Sequence, residues 1–216
     1  MWAVLAAGGR GERLGDERPK AFARLGELPL LAEPLRRLEE SEWIDGIVIA
    51  APPDWEEPSI LLAEELGAGK VRSVVTGGET RAASVRAALA EVPDDAVAVL
   101  VHDAARPLVS DALIERVLAP LSEGWDGVVP AVAVPDTVKR VRDGEVVETL
   151  DREELVLAQT PQAFVAATLR AAAAGEGTDC AALVEARGGR IKVVEGDPRL
   201  LKVTSPEDLE LVASWL

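Results

Sequence analysis

Short runs rich in valine, isoleucine, alanine and leucine recur along the chain at residues 2–7, 46–51, 71–76, 96–101 and 127–134. Runs that are apolar on both faces suit strands buried in a parallel sheet, whereas a half-solvated strand alternates. Between them lie stretches of helical period at 28–38, 60–66, 81–89 and 113–121, with their charges on the opposite face. Strand and helix therefore alternate, and right-handed crossovers place helices on both faces of the sheet. The expected fold is α/β: a doubly wound, mostly parallel sheet. No repeat or low-complexity linker divides residues 1–216, so a single domain is expected.

Two segments depart from this rhythm. Residues 137–149 mix small, apolar and charged side chains around Asp143-Gly144, a dipeptide suited to the positive φ angles of a tight hairpin turn. A hairpin has few partners inside a doubly wound domain, so a protruding β-arm at about 137–152 is expected to reach a second copy of the chain. A hairpin lying flat on its own domain is the alternative. Thr204-Ser205-Pro206-Glu207-Asp208 has a hydroxyl cap candidate, proline in the first turn and two acids near the positive end of a helix.

The first apolar run leads into Ala6-Ala7-Gly8-Gly9-Arg10-Gly11-Glu12-Arg13-Leu14. Its glycines let backbone N–H groups approach a polyphosphate, and Arg13 and Lys20 add positive charge. No Gly-Lys-Ser/Thr follows, and Leu14 stands where a dinucleotide fingerprint needs its third glycine, so a plain structural turn stays open. Charge makes a local basic pocket necessary for any anionic substrate. With 23 Lys and Arg against 38 Asp and Glu, the chain carries a formal charge of -15, which opposes binding to nucleic acid and to anionic membranes. Cys180, alone of its kind, permits no internal disulfide, and residues 2–7 are too short to span a bilayer and carry no basic leader. A cytoplasmic protein is expected.

His102-Asp103-Ala104-Ala105-Arg106-Pro107 follows the fourth run, so Asp103 falls near a strand's carboxyl end, where open α/β sheets hold ligands. A carboxylate there suits Mg²⁺ shared with a triphosphate; an Asp103–Arg106 ion pair is the alternative, and His102 reads as structural. In Thr76-Gly77-Gly78-Glu79-Thr80-Arg81-Ala82-Ala83-Ser84-Val85, the glycines can bring backbone against a base. Ser84 and the backbone of Gly78 can bond a pyrimidine edge, or Thr80 simply caps a helix after a glycine turn.

Taken in order, Ala6-Ala7-Gly8 through Pro19-Lys20, Gly77-Gly78 through Ser84, His102-Asp103 through Pro107, Asp136-Thr137-Val138-Lys139, Arg152, Thr160-Pro161-Gln162 and Lys202 through Asp208 resemble the 2-C-methyl-D-erythritol 4-phosphate cytidylyltransferases over essentially the whole chain. The resemblance implies a Rossmann-like nucleotidyltransferase fold and transfer of CMP from CTP to 2-C-methyl-D-erythritol 4-phosphate, with release of pyrophosphate, in non-mevalonate isoprenoid synthesis. It implies that Ala6, Ala7, Gly8, Gly78, Glu79, Ser84 and Ala104 line the CTP site and that Asp103 supports Mg²⁺. Arg13 and Lys20 would act on the triphosphate. Arg106, Thr137, Arg152 and Lys202 would hold the sugar phosphate, with Arg152 and Lys202 orienting it and the arm's residues contributed across a homodimer. Ala21 and Leu200 stand where the family usually has Gln and Asn, and the glycine loop is one residue longer around Gly9 and Arg10. The rival readings are a nucleotidyltransferase for another sugar or polyol phosphate and a non-catalytic nucleotide-sensing module.

Overall fold

The computed structural model describes residues 1–9, 18–175, 177 and 179–216. β1 (Trp2–Ala6) opens the chain, and β2 (Arg24–Leu25) pairs with β3 (Leu28–Pro29) across a turn in which Gly26 takes φ +64°. That small hairpin occupies the start of the stretch expected to be helical from residue 28, so α1 begins only at Ala32 (Ala32–Glu40). The alternation then runs through β4 (Gly46–Ala51), α2 (Glu56–Glu65), β5 (Val71–Thr76), α3 (Arg81–Leu89) and β6 (Ala98–Asp103). α4 (Asp111–Leu118), capped by Ser110, and β7 (Gly127–Ala133) follow. β8 (Lys139–Arg142) and β9 (Glu145–Thr149) form a separate two-stranded ribbon. β10 (Val156–Ala158), β11 (Gln162–Val165), α5 (Ala166–Ala172), α6 (Cys180–Glu185), β12 (Ile191–Glu195) and α7 (Pro206–Ala213) complete the order.

The main sheet has the strand order β10-β7-β11-β6-β1-β4-β5, with β12 also paired to β7. The pairs β1–β4, β1–β6, β4–β5 and β7–β12 are parallel; β11 runs antiparallel to β6 and β7, and β10 antiparallel to β7. The sheet is thus mostly parallel, as its apolar runs foretold. The short, mixed sequences of β10, β11 and β12 carry no comparable run and were not among the expected strands.

Residue alternation splits the core cleanly. Leu5, Ile47, Ile49 and Leu100 pack on one face with Leu35, Leu62 and Ile114 from α1, α2 and α4. Their neighbours Val4, Val48 and Val101 pack on the other face with Val85, Leu169 and Val184 from α3, α5 and α6. Both faces are covered, so each strand buries consecutive side chains at about 1.5–3 kcal/mol apiece for the larger ones.

Strand β6 starts two residues later than expected, because Val97 is exposed in the turn that precedes it. Asp103 thereby becomes the last residue of β6, paired in register with Ala6 at the end of β1. The chains leaving β1, β4, β5 and β6 stay knitted together. Ala7 N bonds Ala50 O at 2.9 Å, Gly77 N bonds Ala51 O at 2.7 Å, and Ala104 N bonds Ala6 O at 3.0 Å.

The hairpin forms as expected, with Asp143 at φ +49° and Gly144 at φ +83°. Every residue of β8 and β9 is exposed, and in the described sheets the two strands pair only with each other. Helix α7 starts with a capping box: Ser205 Oγ accepts from Asp208 N at 3.2 Å, and Asp208 Oδ2 accepts from Ser205 N at 2.9 Å.

Candidate active site

The carboxyl ends of β1, β5 and β6 open onto a cleft of about 730 Å³. One wall is the turn after β1, the opposite wall the turn from β5 into α3, and these two turns touch. A Cβ on Gly8 would stand 3.0 Å from Ser84 Oγ, and one on Gly77 would stand 2.8 Å from the Ala51 carbonyl, so side chains there would force the walls apart. Ser84 Oγ donates to Thr80 O at 3.0 Å and accepts from Gly78 N at 3.1 Å. Thr80 caps α3 by accepting from Ala83 N at 3.1 Å, so the capping alternative coexists with the wall. The residues marked for the nucleotide, Ala6, Ala7, Gly8, Gly78, Glu79, Ser84 and Ala104, all line this cleft.

At the end of β6 the Asp103 carboxylate is gripped from two sides. Arg81 Nε reaches Oδ1 at 2.7 Å and Lys202 Nζ reaches Oδ2 at 2.8 Å. Burial by itself would raise the carboxyl pKa, but Arg81 and then Lys202 outweigh it and hold Asp103 well below the usual carboxylate range. The anticipated alternative of an Asp103–Arg106 pair does not form. Arg106 turns instead to carbonyls, donating to Leu200 O at 2.7 Å and Ala158 O at 3.4 Å, and does not line the cleft. Arg81, to which no role was assigned from sequence, holds the carboxylate because α3 begins where β6 ends.

His102 is structural, as expected. Its Nε2 lies 2.9 Å from the Arg106 carbonyl, which only accepts, so Nε2 carries the proton and Nδ1 accepts from the Thr160 hydroxyl at 3.1 Å. Thr160 Oγ1 accepts in turn from Asp103 N at 3.0 Å. Burial pushes the imidazole pKa down to about 4, which keeps the ring neutral.

Lys20 opens a 3-10 turn (Lys20–Phe22) and donates to Val203 O at 2.9 Å. Lys20 lines the cleft together with Lys202 and Thr204, which the segment before α7 brings there. That segment is tied to the Asp103 loop by Val203 N to Ala105 O at 2.8 Å.

The sequence model for 2-C-methyl-D-erythritol 4-phosphate cytidylyltransferase matches residues 1–216. The chain belongs to that family. The Nocardia farcinica enzyme of that name is 44% identical over 217 residues, covering 99% of this chain and 93% of its own. The Rhodococcus opacus one is 45% identical over 213 residues, covering 97% and 92%. Among solved structures, the 2-C-methyl-D-erythritol 4-phosphate cytidylyltransferase of Thermus thermophilus superposes with a TM-score of 0.79 at 34% identity, covering 98% of this chain and 96% of that one. A crystal structure of 4-diphosphocytidyl-2C-methyl-D-erythritol synthase gives a TM-score of 0.83 at 31% identity, covering 99% and 96%.

Within this cytidylyltransferase, the two departures from the family's usual residues differ in place. Ala21, largely buried, lines the cleft next to Lys20, whereas Leu200 is fully buried in the main core while its carbonyl receives Arg106. Arg13 lies outside the described residues. Thr137 and Arg152 do not line the cleft of their own chain. Thr137 is exposed before β8, and Arg152, in a 3-10 turn (Arg152–Glu154) at the base of the arm, donates to Pro135 O at 2.7 Å.

Among the described residues no cluster of three or more acids, histidines or cysteines forms a metal cage. Asp103 nonetheless suits Mg²⁺ held by one carboxylate and by phosphate oxygens. Each of its oxygens accepts one hydrogen bond from Arg81 or Lys202 and keeps a second acceptor position.

Proposed function

We propose that this cleft transfers CMP from CTP to 2-C-methyl-D-erythritol 4-phosphate through the following division of labour. A phosphate oxygen of the sugar phosphate attacks the α-phosphorus of CTP; the new P–O bond forms as the bond to the β-phosphate breaks, and pyrophosphate leaves. The nucleophile is already an anion at neutral pH, so no general base is required, in keeping with a buried, neutral His102.

What the reaction demands is relief of repulsion between two anions. One observation carries the reading: Lys20, Arg81 and Lys202 converge on one cleft in a chain of formal charge -15. Lys20, with Arg13, stabilises charge on the triphosphate, while Lys202 and Arg152 orient the attacking phosphate. Backbone around Gly8 and Gly78, with Glu79, Ser84 and Ala104, receives the nucleoside. Asp103 would hold Mg²⁺, which would supply positive charge to the phosphate oxygens.

The arm of a second copy supplies Thr137 and Arg152, making a homodimer. Exposed Val141, Val146 and Val147 on the arm, with exposed Val156 and Leu157 on β10, support that docking. The reading places the reaction in the cytoplasm; the described residues contain no helix long and apolar enough to cross a membrane. A coupled pyrophosphate assay tests the whole reading. Release is expected only when CTP, 2-C-methyl-D-erythritol 4-phosphate and Mg²⁺ are all present. Release with CTP alone, or none with the full set, overturns it.

A further inference from the structure

We infer that Arg81 is a positioning residue for the transfer, orienting and neutralising Asp103 so that Lys202 keeps its charge for the incoming phosphate. This rests on the function proposed above.

Arg81 is the first residue of α3, and the Thr80 cap fixes that helix end against the cleft. Its guanidinium is largely buried and divided between two anchors, Nε to Asp103 Oδ1 at 2.7 Å and NH1 to Cys180 Sγ at 3.4 Å. The remaining nitrogen, NH2, is buried with no hydrogen-bond partner among the described residues. A thiol is a weak, neutral acceptor, and burial pushes the Cys180 pKa up, so it contributes no compensating charge. The charge of Arg81 is therefore directed onto Asp103.

The consequence is electrostatic. The described charged residues lining the cleft are Lys20, Arg81 and Lys202 against Glu79 and Asp103. With Arg81 in place, Asp103 is neutralised from behind, and Lys202, the more exposed of its two partners, retains a net positive field toward the opening. Without Arg81, two acids would face two lysines. Asp103 would then draw on Lys202 alone, and the residue that orients the nucleophile would be spent on a neighbour.

Arg81→Gln and Arg81→Lys test this, each followed by thermal unfolding, calorimetric CTP binding and steady-state kinetics in the sugar phosphate. In Arg81→Gln, kcat/KM for 2-C-methyl-D-erythritol 4-phosphate is expected to fall about 100-fold, the scale for removing one partner of a buried charge pair, while CTP affinity measured without Mg²⁺ changes less than about threefold. Arg81→Lys keeps the charge but loses the planar fork, so it should recover about a tenth of wild-type kcat/KM with a near-normal melting temperature. Should Arg81→Gln fail to fold because Asp103 is left half-paired, Arg81→Lys decides by itself. Wild-type kcat/KM in either folded variant overturns the inference. So does a loss of CTP affinity as large as the loss in kcat/KM, which would report a collapsed cleft. Absence of pyrophosphate release from the unaltered chain would sink the functional reading as well, whereas active wild type with indifferent Arg81 variants sinks only this one.

Discussion

In the cleft, Asp103 is buried and gripped by Arg81 and Lys202, while Lys20 is bonded to the Val203 carbonyl. In the arm, every residue of β8 and β9 is exposed and the ion pair Arg140–Glu148 lies in solvent. Similar charged residues thus serve under opposite conditions. Buried charges hold a fixed geometry because leaving one unpaired is costly, whereas exposed pairs contribute about 0–1 kcal/mol and hold little. The cleft is preorganised by its own chain. The arm has a backbone shape, and among the described strands β8 and β9 pair only with each other, which leaves them open to the exchange between copies proposed above.

Four experiments would break or sharpen that contrast. Lys20→Ala should lower kcat by roughly two to three orders of magnitude, comparable to losing one oxyanion donor. Turnover near wild type would remove Lys20 from the preorganised side. Stability should divide the same way. Leu35→Ala, in the fully buried core, should cost about 2–5 kcal/mol, and Val146→Ala on the arm less than about 0.5 kcal/mol, both read by denaturant melts at dilutions where the chain is monomeric. Equal losses would mean the arm packs on its own domain.

Arg152→Ala is expected to raise KM for the sugar phosphate about tenfold with little change for CTP. Mixing it with Lys202→Ala subunits should restore about a quarter of the wild-type sites if arms are exchanged, since half of randomly paired dimers carry one intact site of two. No recovery on mixing would place Arg152 in its own chain's site.

The smallest effect concerns acid. Burial would raise the Asp208 pKa, but hydrogen bonds from Thr204 and Ser205 outweigh it and the net shift is downward. The group therefore adds stability above the ordinary aspartate pKa of about 3.9 and loses it as pH falls further. Asp208→Asn should flatten the decline in melting temperature below about pH 4 relative to wild type. Parallel declines would show that the capping box does not sense acid.

Legibility in the sequence followed range of interaction. β4, β5 and α3 have the boundaries their apolar periods suggested, and the hairpin turn follows from Asp143-Gly144, because each depends on a few adjacent residues. β11 was not legible. Gln162-Ala163-Phe164-Val165 is short and mixed, and it becomes a strand only because β6 and β7 leave an antiparallel slot between them. The motif residues assigned to the nucleotide all reach one cleft, whereas the partners of Asp103 were not legible.

By itself, then, the sequence determined the alternation of buried strands and helices, the turn of the arm, the need for a local basic pocket in an acidic chain, and which motifs stand at strand ends. Only the tertiary structure decided that Asp103 pairs with Arg81 and Lys202 rather than with Arg106 three positions away. Local periodicity reports which face of an element is apolar. Charge pairing depends on the register that sets β6 beside β1 and on the C-terminal segment that returns Lys202 across 99 positions of chain, and no local pattern records either.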